Sequence, residues 1–261
     1  MRLLILFLIL SFSVHGEIQF KETKWKAGKK LFFSSFGKKC FIIKPEKSLK
    51  GNPWIWRARW PNYHTEIDVE LVKKGYHIAY IDTANMFGSD KAVKLWNQFY
   101  TLLTEKLKFD KKPVIEAVSR GGLIAYRWAS VNPDKVRGIY CDVPVCDFKS
   151  WPRKTSKPTW NVLLKHYGFT EKQAMAFKGN PIDVLAPIAK AKVPILHIVC
   201  KKDKVVPFQD NTEILKKRYK DLGGDIEVIY VENGKSPAHH HFTLTKEHID
   251  KAVKFIEKQF N

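Results

Sequence analysis

A serine, an aspartate and a histidine, met in that order along 261 residues, set the chemistry this chain can be expected to do. Ser119 lies inside Pro113 to Trp128, PVIEAVSRGGLIAYRW; Asp203 lies in KKDKVVP; His239 opens the run His239-His240-His241. A serine hydroxyl is a weak nucleophile near neutral pH and needs a base to take its proton. A histidine titrates where it can take that proton and later hand it to a leaving group. A carboxylate fixes the imidazole tautomer and steadies the imidazolium. Acting together, such groups transfer acyl groups, so cleavage of an ester or amide is the expected reaction.

Those residues need elements to hold them. The apolar run Pro113 to Val118 reads as a buried strand, Ser119-Arg120-Gly121-Gly122 as a sharp turn, and Leu123 to Trp128 as the start of a helix. Strand, serine-centred turn and helix make a nucleophile elbow. The neighbours two places either side of the serine must be small, and here they are Ala117 and Gly121. The more usual pattern has glycine at both. Taken alone, Ser119 could equally be a helix cap, so the surrounding pattern has to decide.

Residues 30–43 read as two strands around Gly37-Lys38, Pro53 to Trp60 as a strand, and Glu66 to Lys74 as a helix ended by Gly75. His77 to Asp82 is a buried strand, and Asp90 to Lys108 an amphipathic helix with Val93, Trp96, Phe99, Leu103 and Leu107 in one stripe. Val136 to Val145, Val193 to Val199 and Ile226 to Val231 are further strands; Phe208 to Tyr219 and Glu247 to Phe260 are helices. Residues 147–190, with Pro152, Pro158, Pro181 and Pro187, read as an inserted lid. Strands alternating with helices predict a mostly parallel sheet covered on both faces. In such a sheet functional groups gather beyond the carboxyl ends of the strands. Ser119, Asp203 and His239 each follow a predicted strand.

The pieces PWIWRARW, AVSRGG, KKDKVVP and AHHH make residues 30–260 resemble the α/β-hydrolase superfamily, most of all its exported bacterial serine esterases and prolyl-oligopeptidase-like members. The resemblance implies an eight-stranded, doubly wound, mostly parallel sheet with a small lid, spanning residues 17–261. It also implies Ser119 as nucleophile, Asp203 as acid and His239 as base. The family places glycine before that histidine; Ala238 stands there instead, which keeps His240 open as the base. Asp142 and Asp147, beyond the preceding strand, are alternative acids. The oxyanion hole would come from the backbone N–H of Arg120 and that of Arg59 or Trp60.

Arg57, Arg59 and Arg120 could bring guanidinium groups to the mouth and recognise a carboxylate, or pair with strand-end acids such as Asp82 or Asp142. Trp60 and Trp151, near loop ends, could stack on a sugar ring, whereas Trp54 and Trp56 share one face of a central strand and read as core. The histidine run offers no carboxylate or cysteine at ligand spacing, so no metal is expected. No cofactor is required. The expected activity is therefore a serine hydrolase cleaving carboxylic esters, with a small-molecule or saccharide ester as substrate. A serine peptidase of the prolyl-oligopeptidase-like type and a non-catalytic binding protein are the rivals. The absence of a large gating domain weighs against the peptidase.

Composition bounds the setting. Residues 1–16, MRLLILFLILSFSVHG, read as a secretory signal peptide too short to be a stable span, so a secreted or periplasmic protein is expected. The formal net charge is +20. Lysines are spread as pairs and do not form an arm interleaved with aromatics, which argues against nucleic acid as partner. Cys40, Cys141 and Cys200 lie in apolar strand-like runs and, with Cys146, read as buried free thiols.

Overall fold

The computed structural model describes residues 18–235 and 237–261; the signal peptide expected over residues 1–16 lies outside the described residues. Among the described residues nine strands form one sheet: β1 (Lys21–Trp25), β2 (Gly28–Ser35), β3 (Lys38–Pro45), β4 (Trp54–Arg57), β5 (His77–Ile81), β6 (Val114–Val118), β7 (Gly138–Asp142), β8 (Ile195–Cys200) and β9 (Ile226–Val231). Their spatial order is β1-β2-β3-β5-β4-β6-β7-β8-β9. The first three strands and the β3–β5 pair are antiparallel; every pair from β5 to β9 is parallel. Eight strands were expected. The additional one is β1, KETKW, whose first four residues are exposed. A charged strand at a sheet edge carries no apolar alternation to betray it, and its charges discourage pairing with other chains.

Among the described residues there are eight α-helices: α1 (Thr65–Lys73), α2 (Asp90–Thr101), α3 (Gly121–Val131), α4 (Lys157–Tyr167), α5 (Glu171–Ala176), α6 (Ala186–Lys190), α7 (Thr212–Asp221) and α8 (Lys246–Lys258). Side chains alternate across the sheet, and so both faces become core. On one face Trp54 and Trp56 pack with Trp96, Phe99 and Trp128 from α2 and α3; Trp56 stacks on Trp96 with ring centres 4.1 Å apart. On the other, Ile55, Ile78, Tyr140 and Ile198 meet Ile67 and Leu71 of α1 and Val253 and Ile256 of α8. The four cysteines are buried free thiols.

Several boundaries differ from the periodicity, and three bear on the site. The helix from Asp90 stays regular only to Thr101 and finishes in a wider π-type turn over Leu102–Lys106. The helix expected from Phe208 begins at Thr212, after one tight turn. The strand in PWIWRARW ends at Arg57, because the next residues fold back as the loop that carries Arg59 and Trp60. The segment 147–190 holds α4, α5 and α6. Its Phe148, Trp160 and Leu163 pack with Leu123 of α3, Val145 and Val206. This segment is thus anchored on the start of the elbow helix and on the loop that follows Asp203.

Candidate active site

Strand β6 is buried along its length, and its last residue hands the chain to Ser119, which takes φ 52°. Only glycine adopts that region without strain, so a serine there is held by its surroundings. The holding bonds are visible: Ser119 N–H donates to Asp142 O (2.9 Å), and Ser119 O accepts from Gly122 N–H (3.0 Å) and Val145 N–H (2.9 Å). The backbone is thereby pinned to the end of β7 while Oγ projects from the turn. Gly121 explains the small-residue rule in this chain. A Cβ at that position would lie 2.9 Å from Arg59 Cβ and 3.4 Å from Arg59 N. The elbow and the loop after β4 touch there.

The base is His240. Its Nε2 lies 2.9 Å from Ser119 Oγ and its Nδ1 lies 2.7 Å from Asp203 Oδ2. Nδ1–H donates to the carboxylate, which leaves the Nε2 lone pair facing the serine hydroxyl. All three residues are buried, Ser119 with 6% of its surface exposed. Asp203 Oδ1 accepts the N–H groups of Val205 (2.8 Å) and Val206 (2.9 Å). The D-x-x-V-P pattern therefore makes a turn that fixes the carboxylate with one oxygen and leaves the other for the imidazole.

His239, the residue the resemblance favours, is not in this array. Its Nδ1 lies 3.2 Å from both the amide nitrogen and the carbonyl oxygen of Gly234. The physical reason is the backbone: His239 takes φ 55°. It occupies the left-handed position that a glycine before the base would fill most easily, and the next residue, His240, then points at the serine. Counting one residue on from the Ala238 mismatch is what would have found it. His241 is exposed and lies edge-on to Tyr63. Among the described residues no group of three or more His, Cys, Asp or Glu side chains could hold a metal ion.

Arg57 is also corrected. It is fully buried and cannot meet a substrate. Its Nη1 donates to Glu116 (2.9 Å) and to Asp68, and Nη2 donates to the carbonyls of Trp60 (3.2 Å) and Tyr63. Arg57 falls on the opposite face of β4 from Trp56, so its side chain runs beneath the sheet and caps the loop carbonyls from inside. Burial pushes the Asp68 and Glu116 carboxyls up, with the Arg57 charge opposing that.

Asp142, weighed as an alternative acid, is committed elsewhere. Its Oδ2 lies 2.7 Å from Nδ1 of buried His64, and its Oδ1 accepts the Tyr140 hydroxyl at 2.6 Å. His64 Nε2 donates to Phe242 O at 2.9 Å. Tyr63 stacks on His64 and meets Phe242 through its hydroxyl. This second histidine–carboxylate pair went unmarked in the sequence, since His64 sits in a loop with no motif around it. Asp147 Oδ1 accepts Lys149 N–H at 2.8 Å within the lid.

Arg59 and Trp60 stand on the loop next to the elbow. Among the described residues the N–H groups of Arg59, Trp60 and Arg120 donate to no backbone carbonyl. With Arg59 N close to the Gly121 position, two such donors on facing loops can hold an oxyanion formed at Ser119. Trp60 is 38% exposed. The guanidinium of Arg120 lies 5.1 Å from the Trp60 ring centre and 5.9 Å from that of Trp151, which places Trp151 at the same rim.

No protein-family model and no curated protein matches the chain. Solved structures do. An S-formylglutathione hydrolase from Agrobacterium tumefaciens shares 14% identity at TM-score 0.65, over 92% of this chain and 99% of that one. A sugar hydrolase from Lactococcus lactis shares 15% at TM-score 0.62, over 88% and 98%. A Pyrococcus horikoshii acylaminoacyl peptidase shares 17% at TM-score 0.64, over 93% of this chain but only 42% of that one. The chain thus spans about two-fifths of the peptidase structures it resembles. Parallel strands β5 to β9 between two helical layers, a serine on a left-handed bend after β6 and these shared architectures together mean that the chain has the α/β-hydrolase fold.

Proposed function

We propose that this protein is a serine hydrolase that cleaves carboxylic esters through an acyl-enzyme intermediate. The observation that carries the reading is the continuous path from Ser119 Oγ through His240 to Asp203, at 2.9 and 2.7 Å. His240 Nε2 takes the hydroxyl proton as Oγ attacks the ester carbonyl. The Arg120 and Arg59 N–H groups receive the oxyanion, and losing one such donor typically costs ~3 kcal/mol of transition-state stabilisation. The intermediate then collapses, His240 gives its proton to the departing alkoxide, and Ser119 is left acylated. Water attacks next, His240 takes its proton, and the acid leaves with the serine restored. Asp203 holds the imidazole tautomer throughout.

A fluorophosphonate probe tests this directly. It should modify Ser119, as mapped by mass spectrometry of tryptic peptides, and modification should vanish in Ser119→Ala. A folded protein that leaves the probe and p-nitrophenyl acetate untouched would overturn the reading. Esters and short peptides assayed side by side separate esterase from peptidase: turnover of peptides without turnover of esters would favour the peptidase. The substrate is a small-molecule or saccharide ester, and the export expected from residues 1–16 would place it outside the cytoplasm. Amino-terminal sequencing of the mature protein tests that placement.

A further inference from the structure

Seven arginines lie among the described residues. Five pair with a carboxylate: Arg57 with Asp68 and Glu116, Arg127 with Asp90, Arg137 with Asp110, Arg153 with Glu171 and Arg218 with Asp183. Arg59 and Arg120 have no carboxylate within ion-pairing distance among the described residues, and they are the two beside Ser119. They also lie close to each other. The Arg59 guanidinium carbon is 4.3 Å and that of Arg120 5.1 Å from the same Trp60 ring centre. The Nε atoms of both are buried and without an acceptor. Two like charges held together, partly out of water and unpaired, form an arrangement that costs stability unless an anion relieves it.

The surroundings orient the pair without neutralising it. Arg120 Nη1 donates to the neutral amide Oδ1 of Asn85 at 3.0 Å. Asp82, the one acid whose charge is felt at Arg120 among its main influences, spends its Oδ1 on the Tyr80 hydroxyl (3.3 Å) and Ala84 N–H (3.0 Å). Burial first, and Arg59 second, push the Arg120 pKa down to about 10, so it stays cationic at neutral pH. Trp60 and Trp151 flank the Arg120 guanidinium. An arginine fork matches a carboxylate, and flat aromatic faces match a ring.

We propose that Arg59 and Arg120, framed by Trp60 and Trp151, form an anion clamp that selects esters carrying a carboxylate on a ring. This rests on the serine-hydrolase reading for turnover but not for binding. The loops come from the ends of β4, β5 and β6 and from the lid, so the clamp converges on the mouth where the part of the substrate not being attacked would lie.

The test pairs 4-acetoxybenzoate with its neutral analogue 4-acetoxybenzamide, each rate divided by its spontaneous hydrolysis. The expected kcat/KM ratio favours the carboxylate by about tenfold or more, since hydrogen bonds to charged groups exceed neutral ones. The preference should shrink as salt rises to screen the charges. Arg120→Gln and Arg59→Gln should each cut the ratio several-fold, mainly through KM of the anion. Asn85→Asp, which keeps both arginines but supplies a carboxylate to Arg120, should cut it as well. A ratio near one in the unaltered protein, or one untouched by all three substitutions, overturns the clamp. Binding of 4-hydroxybenzoate to Ser119→Ala, read by calorimetry, separates the two readings. Binding that Arg120→Gln weakens, without any ester turnover in the unaltered protein, would sink the hydrolase and leave the clamp. Turnover of both esters with no such binding would do the reverse.

Discussion

Two histidine–carboxylate pairs lie in the loops at the strand ends, and both have Nδ1 2.7 Å from an aspartate oxygen. They differ in what the other nitrogen meets. His240 Nε2 faces the Ser119 hydroxyl, a group that can donate. His64 Nε2 faces the Phe242 carbonyl, which can only accept. So His64 must keep a proton on Nε2 and cannot serve as a base there, while His240 can present a lone pair. Phe242 is two residues beyond His240. The His64 pair therefore grips the chain that carries the proposed base. The lesson is that a histidine beside an aspartate is not itself a catalytic sign; the partner of the far nitrogen decides.

Substitution at the histidines should break this comparison most sharply. His240→Ala should lower kcat/KM for p-nitrophenyl acetate by about 10,000-fold or more. His239→Ala, one residue away, should change it less than about threefold, because its ring only packs on Gly234. If His239→Ala is the more damaging, the assignment of the base fails.

The two acids should separate next. Asp203→Asn removes the acceptor that fixes the tautomer and should cost about 10,000-fold in kcat. Asp142→Asn should cost about tenfold or less in kcat, with a loss of a few kcal/mol in unfolding free energy, because it leaves a buried pair half-made. Denaturant unfolding and kinetics on both variants give the split. Equal kinetic losses would mean that the His64 pair takes part in the chemistry.

Arg57 tests the scaffold beneath both pairs. Arg57→Met strands Asp68 and Glu116 in the core and should destabilise the protein by roughly 3–5 kcal/mol in denaturant titration. A change below about 1 kcal/mol would show that the buried acids are neutral without it.

His197 sharpens the comparison from the other side, since it is buried with no carboxylate. Its partners are the Tyr126 hydroxyl at 2.6 Å and Thr212 Oγ1 at 3.1 Å. Burial pushes it down to about 3, and burial likewise lowers His77 to about 4. These histidines are neutral when folded but protonate at about pH 6.5 when unfolded, so the unfolded state binds more protons in acid. Their contribution to stability is present above pH 6.5 and is lost as pH falls toward 4 and then 3. Tm measured from pH 7 to 4 should drop, and His197→Gln should flatten part of the slope. This is the smallest of the four effects at neutral pH, where the native state already holds both rings uncharged.

How much was legible before any coordinates follows from which signals are local. The sequence determined the alternating strands and helices, the elbow at Ser119 and the turn that carries Asp203. Buried parallel strands read as apolar runs, a serine turn needs small neighbours, and D-x-x-V-P is a short turn whose backbone N–H groups meet its own carboxylate. The charged edge strand β1 escaped because an edge has no apolar face to declare.

Only the tertiary structure decided between His239 and His240: Ala238 in place of glycine left the register open by one residue, and the left-handed φ at His239 sets which ring points inward. It alone sent Arg57 under the sheet and left Arg59 and Arg120 at the rim: residues two apart on a strand share a face, but the strand stops at Arg57 and the parity ends with it. It alone joined His64 to Asp142 across 78 positions of chain. Pairings between distant loops depend on where the sheet brings their ends, and that is fixed by the packing of the whole molecule, not by any stretch of it.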